Sequence, residues 1–150
     1  MKEIIFNNTQ EIKEGLYLTY MTFGEYLDLI NKKTITIPDI IDGYSRLNGI
    51  AELQASKYNN NEELTEVMGY NVDLISIKDK TQTKFESNKL SISTDNLELL
   101  DGISRTYTIA KLDKRFVNSL IIIRIHITSL DDARRYVHQA NYPDGIGLDH

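Results

Sequence analysis

Hydrophobic and polar positions alternate over Leu16–Met21, "LYLTYM", the period-two pattern of a half-buried strand. Thr22 follows, with Glu25 three residues on, which is the spacing of a capping box. It opens a predicted helix over "FGEYLDLI", where the apolar residues fall at helical intervals. "TITIP" is short and extended, because Pro38 keeps Ile37 out of helical dihedrals. From about Asp42 to Tyr58 the spacing of Tyr44, Leu47, Ile50, Ala51, Leu53 and Ala55 predicts a second helix. "KYNNNEE" ends it, and Glu62–Met68 reads as a further helical turn or two closed by Gly69.

The pattern returns to period two at Tyr70–Ile77 and again at Lys89–Ser93. Between them "KDKTQTKFESN" reads as a polar loop or a hairpin. "LELL", Leu97–Leu100, is a short strand running into Asp-Gly, and Ser104–Phe116 is a predicted helix. "SLIIIRIHI", Ser119–Ile127, is the densest β-branched run and predicts a central strand. Ser129 and Asp132 then open a last helix, with Asp131 and Asp132 in the turn where its dipole favours them. The first 15 residues mix charge with short apolar pairs and predict no element. The order of strands and helices has no regular βαβ rhythm. It predicts one α+β domain over the 150 residues, a small mixed sheet flanked by helices, with 142–150 as a tail.

Composition narrows the chemistry. Apolar residues make up 41% and charged residues 26%, which suits a packed core. The chain has no cysteine, so disulfides, thiolate metal sites and cysteine nucleophiles are excluded. No apolar run approaches a bilayer span, and the N-terminus lacks a signal-peptide core, so the expected setting is cytoplasmic with no membrane partner. The net charge of −5 argues against bulk electrostatic binding to nucleic acid. Ile103–Arg124 is the exception. It holds Arg105, Lys111, Lys114, Arg115 and Arg124 against Asp113 alone, a net +4 that is either a local basic face or a solvated helix end.

The three histidines, His126, His138 and His150, share no ligand spacing, so no metal site and no catalytic residue is assigned. His126 lies inside the apolar run and reads as a satisfied or edge histidine, and His138 as solvent-facing. Nine tyrosines against four phenylalanines and no tryptophan suggest half-buried core rather than a stacking platform.

One pattern occurs twice. "IIDGYSRLNGIAEL" spans Ile40–Leu53 and "LLDGISRTYTIAKL" spans Leu99–Leu112. In the second, a strand ends in Asp-Gly and turns at once into a helix. Gly102 lets the backbone turn sharply and the free amides of the helix start favour an anion. Ser104 adds a hydroxyl, and Arg105 a guanidinium suited to phosphate. Asp101 is placed to orient Arg105, hold a cation or cap the helix. A purely structural strand-to-helix turn fits the same residues. The first copy follows Pro38-Asp39 and two isoleucines, too short for a strand. Arg46 is there either a second cation opposite Arg105 or a surface arginine, and the repeat reads as a coincidence of turn chemistry.

"LLDGISRTYTIAKL" resembles the signature of the DGQHR-domain family, which includes DndB-type proteins associated with DNA phosphorothioate modification. That family is similar in turn to the ParB/sulfiredoxin-like superfamily, whose GxxR turn sits at a nucleotide phosphate or on DNA-associated machinery. "SRLNGIAELQASKY" is similar to the family's arginine-bearing helix, and "RYVHQAN" to its terminal element, with Asn141 as the asparagine. The family's Gln-His is Ile103-Ser104 in this chain, so any role of that histidine is missing.

The resemblance implies a ParB/sulfiredoxin-like fold and a DNA-linked regulatory or defence-associated protein. It would bind a phosphate-bearing ligand, a nucleotide or nucleic acid, through Asp101, Gly102, Ser104, Arg105, Arg46 and Asn141. The cofactor this allows is a nucleotide with magnesium. The alternative is a non-catalytic interaction module, with a protein partner or a second copy of itself, that keeps the fold without ligand chemistry.

Overall fold

A computed structural model describes residues 1–38, 44–67 and 69–141. The strands are β1 (Lys2–Phe6), β2 (Gln10–Lys13), β3 (Leu16–Thr22), β4 (Asn71–Ile77), β5 (Gln82–Glu86), β6 (Lys89–Thr94), β7 (Glu98–Asp101) and β8 (Leu120–Thr128). The helices are α1 (Phe23–Asn31), α2 (Tyr44–Asn59), α3 (Ile103–Ala110) and α4 (Leu130–Asn141), with short 3-10 turns at Lys78–Lys80 and Lys114–Phe116. The fold is α+β. A mixed five-stranded sheet has the order β2-β3-β8-β4-β7, and an antiparallel three-stranded sheet has the order β1-β6-β5.

The run "LIIIRIHIT" lies where its composition demands, between β3 (antiparallel) and β4 (parallel). Ile121, Ile123, Ile125 and Ile127 point into one core with Val72 and Leu74 of β4. The small sheet closes that core from its other side with Ile4, Phe6, Leu90 and Ile92. The opposite face of β8 carries Leu120, Ile122, Arg124 and His126, partly covered by α4. The capping box forms as read: Thr22 Oγ1 accepts from the Glu25 amide at 3.1 Å, and the Thr22 amide donates to Glu25 Oε1 at 3.1 Å. Ser129 Oγ likewise accepts from the Asp132 amide at the start of α4.

Three readings change and one open choice is decided. The first 15 residues, which predicted no element, form β1 and β2. β1 buries only Ile4 and Phe6, and β2 is an edge strand exposed throughout, so neither carries a strong pattern. "KDKTQTKFESN" is the hairpin alternative, with Ser87 and Asn88 at positive φ joining β5 to β6. The helix expected over Ser104–Phe116 stops at Ala110. Lys111 caps it, and the chain turns so that Phe116 enters the core and Arg115 reaches the end of α2. Glu62–Val67 forms no helical turn. The Val67 amide is instead held by Ser119 Oγ at 3.1 Å. The Asp42-Gly43 turn and the tail 142–150 lie outside the described residues. Among the described residues no helix is long and apolar enough to cross a membrane.

Candidate phosphate-binding site

The second Asp-Gly is a strand-to-helix turn, as the pattern predicts. β7 pairs antiparallel with β4, ends at Asp101, and α3 begins at Ile103. Gly102 is the N-cap at φ +101° and ψ 26°, the left-handed region that favours glycine. A second constraint acts on the same atom: a Cβ there would lie 2.6 Å from Val72 Cγ1, inside the core. Both demands are structural. No side chain caps α3, and the first intrahelical bond runs from the Thr106 amide to the Gly102 carbonyl at 2.9 Å. The amides of Ile103, Ser104 and Arg105 thus remain as donors at a half-exposed helix start.

The first turn is anchored from below. Thr106 Oγ1 donates to the Gly102 carbonyl at 2.9 Å and lies 2.8 Å from the Tyr26 hydroxyl of α1. Since Thr106 spends its proton on Gly102, Tyr26 is the donor. Burial pushes the Tyr26 phenol up to about 12, against the opposing pull of Thr106, so it stays a donor across the physiological range.

Arg105 turns toward the start of β4. Its Nη1 donates to the Asn71 carbonyl at 3.0 Å and to Asn71 Oδ1 at 3.2 Å, and lies 3.6 Å from Asp101 Oδ2. That carboxylate oxygen is buried and has no hydrogen-bond partner. Asn71 splints the guanidinium while its side chain remains about 39% exposed. Ser104 is half-exposed beside it. Asp101, Gly102, Ser104 and Arg105 therefore stand together. Arg46 does not join them by any contact: it is exposed in the first turn of α2, with no hydrogen bond or ion pair among the described residues. Asn141 is the last residue of α4, and its side chain lies outside the described part.

Behind the turn is a polar cluster that sequence reasoning did not assemble. Asp101 pairs with Asp73 across β7 and β4, and Asp73 pairs with Arg124 across β4 and β8. The Asp73 side chain is fully buried. Its Oδ1 accepts from Arg124 Nε at 2.7 Å and lies 2.7 Å from His126 Nε2, and its Oδ2 accepts from Arg124 Nη2 at 2.8 Å. Burial alone would raise the Asp73 pKa. The hydrogen bonds from His126 and Arg124, with the charge of Arg124, outweigh it and hold the carboxyl below its ordinary value. An ionised Asp73 only accepts, so His126 Nε2 carries the proton of this hydrogen bond. The His126 ring meets the edge of Tyr136 at 5.3 Å, on the floor of a cleft of about 420 Å³ that Lys13, Arg135 and Gln139 also line. His126 is thus the satisfied histidine expected, and His138 is half-buried rather than solvent-facing.

The same geometry answers the question of the basic stretch. Arg105 is held by Asn71 and Arg124 by Asp73. Arg115 donates to the carbonyls of Tyr58, Asn61 and Leu64 at 2.8, 2.8 and 2.7 Å, closing the C-terminal end of α2. Three of the five cations bind the chain itself, which counts against the local basic face among the two readings of this stretch. Comparison with protein-family models, with curated proteins and with solved structures found no match to this chain.

Proposed function

We propose that this chain binds a phosphate-bearing ligand, a nucleotide or nucleic acid, at the Asp101–Arg105 turn. The observation that carries the reading is the uncapped first turn of α3 beside a guanidinium already splinted by Asn71. Three free amides, the Ser104 hydroxyl and the unused Nε and Nη2 of Arg105 belong to one half-exposed turn, and each favours an anion.

Asp101 opposes an anion, and magnesium resolves the conflict. The Asp101 carboxylate supplies oxygen for such an ion, and Mg²⁺ commonly binds through one or two carboxylates with substrate phosphates supplying further ligands. Among the described residues no group of three acids or histidines forms a metal site alone, so this ion would arrive with the ligand. The DNA-linked, regulatory or defence-associated setting is supported by the resemblance of the turn to the DGQHR-domain signature, within a ParB/sulfiredoxin-like superfamily.

A second reading has its own support. Gly102 is required by Val72, and Arg105 already has Asn71 and Asp101, as expected of an interaction module that keeps the turn for its shape.

The two readings separate on one measurement. Thermal shift with nucleoside triphosphates and short oligonucleotides, with and without magnesium, is expected to raise the melting temperature of the natural chain. Arg105→Ala is expected to abolish the increment, whatever its own melting temperature. No increment across the panel sinks the ligand reading, and a stable homo-oligomer or a co-purifying protein then favours the module.

A further inference from the structure

The outer face of the large sheet next to the turn is open. Tyr20 of β3 pairs with Ile122 of β8, and Ile122 pairs with Asn71 of β4, so the three share one face. Tyr20 is 47% exposed, Ile122 44% and Leu120, next along that face, 53%. The α4 helix covers this face further down, over His126 and Ile75, and leaves the upper row bare. Asn71 is also the residue that holds Arg105. The apolar row and the guanidinium therefore meet at one side chain.

We infer that this row is the seat of a nucleobase, and that the ligand of the turn is a single nucleotide rather than a nucleic-acid strand. The inference rests on the phosphate reading of the turn. From Asn71 to Tyr20 is two strand spacings, about 10 Å, within reach of one nucleoside with its phosphates. An aromatic ring beside a flat aliphatic surface is the surface on which a base stacks without sequence preference. Charge decides between nucleotide and polymer. Arg124 is neutralised by Asp73 and Arg105 faces Asp101, so beside the row the described side chains offer one partly free cation, while Lys13 and Arg135 stand further down the face against Tyr136 and Asp132. The net charge of −5 also argues against bulk electrostatic binding of a polyanion.

The chain has no tryptophan, so Tyr20→Trp places on the row a sole tryptophan, which can be excited apart from the tyrosines. Nucleoside triphosphates with magnesium are expected to quench it and tripolyphosphate is not. In the natural chain, nucleoside triphosphates are expected to bind at least about fivefold more tightly than tripolyphosphate. Tyr20→Ala, a surface change, is expected to remove that advantage while tripolyphosphate binding stays. If tripolyphosphate binds as well as the nucleotides and Tyr20→Ala changes neither, the base seat is wrong and the phosphate reading stands. If neither probe binds, both fall. Quenching by a thymidine oligonucleotide but by no mononucleotide overturns the choice of a nucleotide.

Discussion

Asp73→Ala is expected to lower folding stability by about 3–5 kcal/mol, the cost of breaking a buried ion pair from one side. Two oxygens of one fully buried carboxylate serve three donors. Removing them strands the Arg124 guanidinium, whose side chain is only 19% exposed, and the His126 ring N–H, only 3% exposed. Neither can turn to water without displacing α4, since Tyr136 lies against the His126 ring. Asp73→Asn keeps the shape and one acceptor oxygen, so it is expected to lose less and to remain folded for comparison. Urea unfolding measures both. A loss below about 1 kcal/mol for the alanine variant would contradict the account, since that is the cost of an ordinary neutral hydrogen bond.

The same carboxylate gives stability a pH signature. Its folded pKa lies below the ordinary value of 3.8, so the unfolded chain takes up the proton first as pH falls. The contribution is complete above the unfolded pKa and is lost on descending through the folded one. Unfolding free energy is therefore expected to fall more steeply below about pH 4 in the natural chain than in Asp73→Asn. Equal slopes would mean that Asp73 is not the ionised partner of Arg124.

Gly102→Ala is expected to cost about 2–5 kcal/mol, combining left-handed backbone strain with overpacking of a full core. The new methyl carbon would stand 2.6 Å from Val72 Cγ1 and 3.3 Å from the Val72 Cα. The Cγ1 belongs to a side chain with no exposure and the Cα to the backbone of β4, so neither yields cheaply. Gly49→Ala is the control. It lies inside α2, a Cβ there meets nothing within 4 Å, and the substitution is expected to stabilise by about 0.5–1 kcal/mol. Chemical denaturation of the two variants side by side checks the sign in each. A neutral or stabilising Gly102→Ala would show that Gly102 is not constrained by its packing, and a destabilising Gly49→Ala would contradict the open space at that position.

The candidate turn was legible in the sequence because everything that shapes it is local. A strand, Asp-Gly and an amphipathic stretch follow within a dozen residues, and the structure builds β7, Gly102 and α3 from them. The residues that give the turn its surroundings were not legible. Asn71, which holds Arg105, lies 34 residues earlier, and nothing in "YNVDLISI" marks its first polar residue as a splint. Asp73 reads as an unremarkable polar position of an alternating strand. Its burial follows only from facing Arg124 and His126, 51 and 53 residues later. Tyr20 was counted among the half-buried tyrosines, and its exposure depends on where α4 stops covering the sheet.

By itself the sequence determined an α+β chain, the central place of the isoleucine run, both serine- or threonine-capped helices and the Asp-Gly turn. These rest on burial periodicity, caps and turn residues, which act over a few neighbours. Only the tertiary structure decided that the chain divides its strands between two sheets, that α3 ends at Ala110, and that three arginines of one basic stretch are spent on Asn71, Asp73 and the end of α2. Such choices follow from strand order and register, which set distant residues side by side. A charged side chain then binds whichever acceptor that register places within reach.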